Sequence, residues 1–266
     1  MPHSHSIAQQ SESIFHRFSG IVTHKDGYTL VKTPSNPTYF GGHYLILDSP
    51  PEADKFTHWE QTFRNELPDS EHLLLSWRCP DNQEDIDVSY FSGKGYDISH
   101  SVYLTAKQFR EPEQLNHSLT IRKIISDDDW SAVLELDLLQ NKNFEPEKYR
   151  TFATTHYQTY REMTAQGLGD WYGAFLNDQL VGHLGLYYDG EIGRFQNVVT
   201  HPDFRRQGIC KTLVYSVSTQ AKTTLNLESL VLEADEEYIA ANIYKSLGYE
   251  ETERTMSVCW YDKTKW

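Results

Sequence analysis

The chain has 266 residues, a formal net charge of −14 and 13% aromatic residues. This length suffices for one large or two modest domains with an aromatic core, and the acidic balance disfavours a general nucleic-acid binder, because phosphate neutralisation requires a basic face. The longest apolar runs are far shorter than the roughly 20 residues that span a membrane, and residues 1–13 lack the basic-then-apolar order of a secretory signal. We therefore predict a cytoplasmic protein with no nucleic-acid or membrane partner.

Cysteines and histidines do not have the spacing of a disulfide framework or a metal site. The three cysteines, Cys79, Cys210 and Cys259, are odd in number and far apart in sequence, so we expect reduced thiols. None of the 12 histidines forms a His-x-x-x-His pair or lies near a cysteine at ligand spacing. The sequence thus predicts no metal cofactor.

The first half of the chain has the pattern of a small α/β domain. Two strands are predicted between residues 27 and 47, with prolines and an asparagine between them. An amphipathic helix is predicted at 54–66 and a buried strand at 72–77. The polar, aperiodic stretch 110–117 is then interpreted as a linker.

This linker divides the chain into a predicted N-terminal domain, 1–112, and a predicted C-terminal domain, 118–266. The elements predicted in the second domain are a strand at 118–124, helices at 130–139 and about 146–166, strands at 171–176, 180–187 and 192–199, a helix at about 206–222, a strand at 227–233, a helix at 237–247 and a strand at 252–261. Strands that alternate with helices indicate an α/β layer in which helices cover a sheet.

A weak internal repeat connects the two halves. The sequence YFSGKGY at 90–96, followed by the strand-like 98–104, is similar to YKSLGY at 244–249, followed by 254–261. Aligning the two requires a gap of one residue, and coincidence is the alternative. The repeat predicts that the N-terminal domain is a shortened, diverged copy of the C-terminal fold.

The most informative segment is the strand-to-helix connection that ends near residue 209. Arg205, Arg206 and Lys211 lie at the entry and first turns of the predicted helix, and residues 204–227 contain no acidic side chain. Because a helix N-terminus carries about half a positive charge, cations there are favourable only when an anion is present. Gly208 would let that anion approach the backbone. The pattern predicts a phosphate site, and a solvated basic helix start is the alternative.

Two nucleotide-binding motifs are excluded at this segment. A P-loop requires glycines where this sequence has Arg206 and Cys210. A dinucleotide fingerprint requires Gly-x-Gly-x-x-Gly, which the sequence lacks. The predicted anion is therefore not bound by either of these nucleotide folds.

Residues 198–213 resemble the signature loop of the GNAT acyltransferases, whose Arg/Gln-x-x-Gly-x-Gly/Ala pattern falls on 205–210. The resemblance implies that the loop backbone binds the coenzyme A diphosphate, and that the preceding strand pairs with the pantetheine arm. Cys210 departs from the usual small residue. The cofactor-binding residues implied are Val198, Val199, Arg205, Arg206, Gln207, Gly208, Ile209, Cys210, Lys211 and Tyr244.

A second segment, 237–249, is similar to the family motif Asn-x-x-Ala-x-x-Leu-Tyr-x-x-Leu-Gly-Phe, with Glu237 in place of the asparagine. Together the two motifs extend the resemblance over about residues 119–261. They imply the GNAT fold, an α/β (α+β) arrangement with a mixed, mostly antiparallel twisted sheet flanked by helices, plus a smaller N-terminal α/β domain.

The resemblance also implies an activity. The chain is expected to be an N-acetyltransferase that moves an acetyl group from acetyl-CoA to the amine of a small molecule or peptide, by direct transfer in a ternary complex. Tyr244 would be the general acid, and core packing of its ring is the alternative. Glu233 would accept the proton directly or through water held by Asn197 or Gln196, and a solvent-facing carboxylate with no catalytic role is the alternative. A competing hypothesis is a non-catalytic acyl-CoA sensor or interaction module, and the chain is expected to be a monomer or homodimer.

Overall fold

The computed structural model describes residues 6–79, 88–141, 144–236 and 239–264. The chain forms two compact units, of which unit 1 is residues 1–14, 103–233 and 239–251, and unit 2 is residues 15–102, 234–238 and 252–266. Each unit thus takes segments from both halves of the chain. The domain limits 1–112 and 118–266 stay a prediction, because compact packing and domain ancestry are different properties.

The helices and strands alternate along most of the chain. In chain order they are α1 (Ile7–Ser19), β1 (Ile21–Lys25), β2 (Tyr28–Lys32), β3 (Tyr44–Leu47), α2 (Phe56–Glu66), β4 (His72–Cys79), α3 (Ser89–Gly93), β5 (Asp97–Ala106), β6 (Thr120–Lys123), α4 (Asp127–Gln140), α5 (Pro146–Ala165), β7 (Gly169–Leu176), β8 (Gln179–Asp189), β9 (Ile192–Thr200), α6 (Ile209–Thr224), β10 (Ser229–Asp235), α7 (Ile239–Ser246) and β11 (Glu250–Tyr261).

Unit 1 contains a meander followed by one parallel strand. Strands β6, β7, β8 and β9 pair antiparallel in sequence order, and β10 pairs parallel to β9 after the crossover through α6. Helices α4 and α5 pack together, and α6 packs on β8 and β9. The predicted fold class, a mixed and mostly antiparallel sheet flanked by helices, is confirmed.

Unit 2 repeats the parallel crossover on a smaller scale. Strand β3 pairs parallel to β4, with α2 as the connection, and β1 and β2 extend this sheet antiparallel. On the other side of β4 lies β11, paired antiparallel from Arg254↔Cys79 to Tyr261↔His72. Phe56 and Phe63 of α2 are fully buried in the core of this unit.

Local sequence chemistry explains most element boundaries in unit 1. Ser126 and Asp129 form a capping box at the start of α4, as the run of acidic residues predicted. Gly167 ends α5 with φ 74°. Asn177 and Asp178 have φ values of 49° and 64°, which are typical of a type I′ hairpin turn between β7 and β8.

Two differences from the predicted elements have physical reasons. Helix α1 was missed because residues 1–13 are mostly polar, although Ala8 and Ile14 are buried. Helix α6 begins at Ile209 and not at 206, because Arg206 and Gly208 adopt left-handed backbone conformations. Glu237, which replaces the family asparagine, lies outside the described residues.

The internal repeat is a repeat of backbone geometry. In unit 2, the amide of Tyr96 donates to the carbonyl of Phe91, and in unit 1 the amide of Tyr249 donates to the carbonyl of Tyr244. A glycine with positive φ precedes each of these tyrosines, Gly95 at 80° and Gly248 at 95°. This correspondence needs no gap, so the alignment predicted from sequence was wrong by one residue, and Phe91 is the counterpart of Tyr244.

The two corners are also anchored in the same way. The hydroxyl of Tyr96 donates to Glu60 on α2 at 2.7 Å, and the hydroxyl of Tyr249 lies 2.8 Å from Ser218 on α6. In each unit, the tyrosine after the glycine therefore reaches the helix that connects the parallel strands.

Among the helices of the described residues, none combines the length and apolar character needed to cross a membrane.

Candidate active site

The parallel strands of unit 1 separate after a short ladder. Their pairing runs from Ser229↔Ile192 to Val231↔Arg194, whereas β9 continues to Thr200. Residues 195–200 thus lie beyond the ladder with β10, and residues 195, 196, 199 and 200 keep their pairing with β8. The backbone of this part of β9 has one edge turned away from β8, and such an edge can pair with an extended ligand.

A bulge lies within this part of β9. The β8–β9 register shifts between His183 and Gly185, and Asn197 has φ 46°, an uncommon value for a non-glycine residue. Val198 and Val199 follow and are half-buried. The bulge redirects the strand just before the predicted cofactor-binding segment.

The loop from 201 to 208 connects β9 to α6. His201 Nδ1 accepts a hydrogen bond from the Asp203 amide at 3.2 Å at the start of a short 3-10 turn. Arg205, Arg206 and Gln207 are exposed. The φ angles of Arg206 and Gly208 are 62° and 74°, so the backbone turns sharply before the helix.

The start of α6 is not capped by a side chain, because its N-cap residue is Gly208. The first amides of a helix have no partner within the helix, and their dipoles favour an anion. Ile209 is buried at the first position, while Cys210 and Lys211 are half-buried. Burial raises the pKa of the Cys210 thiol to about 12, so this cysteine is an uncharged packing residue and not a nucleophile.

Helix α4 and the predicted linker both hold this loop. Gln140 donates to the carbonyl of Thr200 at 2.7 Å and accepts from Arg205 at 2.5 Å. Asn116 donates its side-chain amide to the carbonyl of Gln207 and its backbone amide to Thr212 Oγ1, both at 2.9 Å. The loop is therefore fixed from two sides, which lowers the entropy cost of ordering it around a ligand.

Tyr244 lies on α7 with its side chain in the interior of unit 1. It is 3% exposed, and burial is the main cause that raises its pKa well above the usual value, with a smaller contribution from Cys210. Within the described residues, no hydrogen bond of its hydroxyl is found. A phenol that stays protonated and has no competing partner is able to donate a proton to a nearby thiolate.

Glu233 occupies a different environment from the one predicted. Its carboxylate accepts from Arg194 Nη2 at 2.7 Å, and Glu12 of α1 binds the same nitrogen at 2.6 Å. The Arg194 side chain is 3% exposed and its Nε and Nη1 have no partner among the described residues. An ion pair with a buried guanidinium stabilises the ionised carboxylate, which makes Glu233 a weak candidate for a base.

Asn197 is connected to residues that the sequence did not reveal. Its Nδ2 donates to the hydroxyl of Tyr157 on α5 at 3.3 Å, and the Tyr157 hydroxyl in turn faces the buried Asp137 carboxyl on α4 and slightly lowers its pKa. Asp137 lies between two leucines in the sequence, and aspartate is mostly exposed in folded proteins, so only the fold reveals that this carboxyl is buried.

His183, opposite Val199 on β8, is completely buried. Its Nδ1 accepts from the Trp171 indole at 3.3 Å, and its Nε2 has no partner among the described residues. Burial lowers the pKa of His183 to about 3, so the imidazole is neutral. Over the same residues, no cluster of three or more side chains suited to a metal ion is found.

The structure therefore gathers most of the predicted residues at one end of β9. The loop 201–208, Val198, Val199 and Asn197 are contiguous around the bulge, and Tyr244 is electrostatically coupled to Cys210 in the first turn of α6. Glu233 lies instead in the cluster around Arg194.

Comparisons with known proteins agree with this geometry. Residues 140–264 match the family model described as an acetyltransferase (GNAT) domain. No curated protein matches the chain. A solved structure of a functionally unknown conserved protein from Staphylococcus epidermidis ATCC 12228 is 15% identical, with a TM-score of 0.72 over 92% of this chain and 95% of that chain.

Two further solved structures have related descriptions. A GCN5-related N-acetyltransferase from Kribbella flavida is 12% identical, with a TM-score of 0.65 over 94% of this chain and 93% of that chain. A tandem GNAT protein from the clavulanic acid biosynthesis pathway is 13% identical, with a TM-score of 0.55 over 88% of this chain and 78% of that chain. At these identities the likeness establishes the fold alone. The family match establishes more, and residues 140–264 of this chain are a domain of the GNAT acetyltransferase family.

Proposed function

We propose that the chain transfers an acetyl group from acetyl-CoA to the amine of an acceptor, by direct attack in a ternary complex. The observation that carries this proposal is the connection between β9 and α6. Its helix start has no side-chain cap, Arg206 and Gly208 are left-handed, and its arginines are exposed, so backbone donors and positive charge lie together. Such a site suits a diphosphate.

The cofactor arm would follow the open edge of β9. Residues 198 and 199 lie beyond the ladder with β10, so their backbone groups are suited to pairing with the amides of pantetheine. The thioester would then lie near the bulge at Asn197. A backbone amide at this point would polarise the carbonyl and stabilise the developing oxyanion.

Tyr244 is proposed as the group that protonates the leaving thiolate. Its protonated phenol is required for this role, and burial keeps it protonated at all ordinary pH values. Core packing accounts for the ring, but packing alone does not require a buried hydroxyl, since phenylalanine fills the counterpart position at Phe91 in unit 2.

The test is a transfer assay with the purified chain, acetyl-CoA and a panel of amines that contains a polyamine, an aminoglycoside, an amino acid and a peptide. Release of free thiol and a product mass increase of one acetyl group, dependent on the amine, would support the proposal. Binding of acetyl-CoA without turnover on any amine would instead support the non-catalytic sensor. Absence of binding would exclude both.

A further inference from the structure

Asp137 is a buried carboxyl group to which the family resemblance assigns no role. It is 6% exposed on the inner face of α4, and among the described residues no cation forms an ion pair with it. Burial of an unpaired carboxylate is costly. The groups that face it are two phenols, Tyr149, whose hydroxyl donates at 2.9 Å, and Tyr157.

These contacts form a continuous chain to the bulge of β9. Tyr157 is 5% exposed, and its hydroxyl accepts from Asn197 Nδ2 at 3.3 Å. Since the amide of Asn197 donates to the phenol oxygen, the phenol proton is left to face the Asp137 carboxylate, which interacts with this hydroxyl. One lone pair of the Tyr157 oxygen is left to accept a further proton.

The outer end of this chain lies where the thioester is proposed to lie. Asn197 is two residues before Val199 on β9, and Gln140, one turn after Asp137 on α4, binds the carbonyl of Thr200 at 2.7 Å. The last turn of α4 therefore contacts the end of β9 at Thr200. The chain connects a buried carboxyl to the proposed place of bond formation.

The surroundings favour proton uptake at this carboxyl. Burial raises the pKa of Asp137, and the hydrogen bonds from Tyr149 and Tyr157 lower it by less. The titratable groups around Tyr157 are His156, Tyr160 and His183. Burial lowers the pKa of His156 to about 4 and that of His183 to about 3, so neither imidazole adds a positive charge near neutral pH.

We propose that Tyr157 is a catalytic residue that removes a proton from the attacking amine and that Asp137, acting through Tyr157, receives it. This inference rests on the proposed acetyl transfer. The amine nitrogen forms a bond to the thioester carbonyl carbon, and its excess proton passes to the Tyr157 oxygen as the Tyr157 proton passes to Asp137. The C–S bond then breaks and Tyr244 protonates the thiolate. Asp137 returns its proton through the relay to solvent, and Tyr244 regains one proton from solvent before the next turnover.

The relay also accounts for features that a Glu233 base leaves unexplained. Glu233 is occupied by Arg194, whereas Asp137 has no cation among the described residues. The positive φ of Asn197 is an uncommon conformation, and it positions the side-chain amide that orients the Tyr157 hydroxyl.

The experiment compares Asp137→Asn and Tyr157→Phe with the unaltered chain, using the best amine of the panel. We expect each variant to lower kcat about 100-fold with an unchanged Kd for acetyl-CoA, and to remove the acidic limb of the kcat–pH profile. The double variant is expected to be no slower than either single variant, because both interrupt one path. Tyr188→Phe is the matched control. It removes a hydroxyl that donates a hydrogen bond to the Gly167 carbonyl elsewhere in unit 1, and it is expected to keep the full kcat.

Tyr149→Phe separates proton transfer from packing. Loss of its hydrogen bond raises the pKa of Asp137, so the acidic limb should move to higher pH, a shift that a merely structural role would not produce. An active unaltered chain whose Asp137→Asn and Tyr157→Phe forms keep kcat and the acidic limb would overturn the relay alone. An unaltered chain with no turnover overturns the acetyl transfer, and the relay with it. If Asp137→Asn fails to fold, Tyr157→Phe, which preserves the ring, decides the result.

Discussion

The two strand-to-helix connections of this molecule have the same length and opposite chemistry. In unit 1, the eight residues 201–208 between β9 and α6 include two arginines, one proline, one acidic residue and a glycine with φ 74°. In unit 2, the eight residues 48–55 between β3 and α2 include two prolines, three acidic residues and one lysine, and none of them has positive φ. Both helices connect a pair of parallel strands.

The difference shows that the scaffold and the cofactor site are separable. Prolines remove backbone donors, and acidic side chains at a helix start occupy the positive end that a phosphate would need. Unit 2 retains the crossover, the positive-φ glycine and the anchored tyrosine, but it has Phe91 in place of Tyr244. We infer that unit 2 is a GNAT-like copy without a cofactor site, and the predictions below test this contrast.

The largest effect is expected at the tyrosine that only unit 1 possesses. Tyr244→Phe gives unit 1 the side chain of Phe91 and removes the proposed proton donor, so kcat should fall roughly 100- to 1,000-fold while the Kd for acetyl-CoA stays the same. Steady-state kinetics and calorimetry measure the two quantities. Tyr90→Phe, which removes the hydroxyl next to Phe91, is the matched control, and a Tyr244→Phe form with full kcat would remove Tyr244 from the mechanism.

Charge reversal at the two connections should have unequal consequences. Arg206→Glu introduces an acidic residue as in unit 2 and should weaken acetyl-CoA binding roughly 50-fold, because a charge change of two acts beside a diphosphate. Lys55→Glu makes the same change at the exposed start of α2 and should leave the affinity as it is. Equal effects of the two substitutions in calorimetric titrations would refute the assignment of the site to unit 1.

Acid should affect both units alike, because each contains a buried neutral histidine. Burial lowers the pKa of His72 in unit 2 to about 4 and that of His183 in unit 1 to about 3. Both values lie below the unfolded value of about 6.5. Keeping these two imidazoles neutral therefore contributes to the unfolding free energy fully above pH 6.5, and this contribution is lost as the pH falls toward the folded values. The unfolding free energy lost between pH 7.5 and pH 5 should be about 2 kcal/mol smaller in His72→Gln and in His183→Gln than in the unaltered chain.

Urea denaturation at the two pH values measures this loss of unfolding free energy. His58→Gln, at an exposed position of α2, is the control. It should lose as much unfolding free energy between the two pH values as the unaltered chain. If only one of the two buried histidines changed the pH dependence, the two cores would differ in a way that this comparison does not predict.

The smallest effect concerns backbone strain at the unit 1 connection. Arg206 has φ 62°, which costs a non-glycine residue of order 1 kcal/mol. Arg206→Gly should therefore raise the unfolding free energy by about 0.5 kcal/mol, after the entropy cost of glycine, and still weaken acetyl-CoA binding several-fold through loss of the charge. A form with lower stability and full affinity would show that Arg206 serves the fold and not the ligand.

Local patterns were sufficient to predict much of the C-terminal fold and the location of the cofactor loop. The capping residues of α4, the turn at Asn177 and the glycine after α5 act within a few residues, so their effect is visible in sequence. The start of α6 was misplaced because positive φ at an arginine has no sequence signature.

The remaining features depend on contacts between distant segments. Asp137 is 60 residues from Asn197 in sequence, and no local pattern indicates that α4 buries this carboxyl against α5. In the same way, Arg194 pairs with Glu12 and Glu233 from two other elements. These two ion pairs of Arg194 could not be read from the sequence around Glu233, and the gap in the predicted repeat concealed the correspondence of Phe91 with Tyr244.

Isothermal titration of the full chain with acetyl-CoA tests the central claim most directly. Our account predicts one binding site per chain, weakened by Arg206→Glu and unchanged by Lys55→Glu. Absence of binding, or two equivalent sites per chain, would contradict the assignment of the diphosphate to the β9–α6 connection.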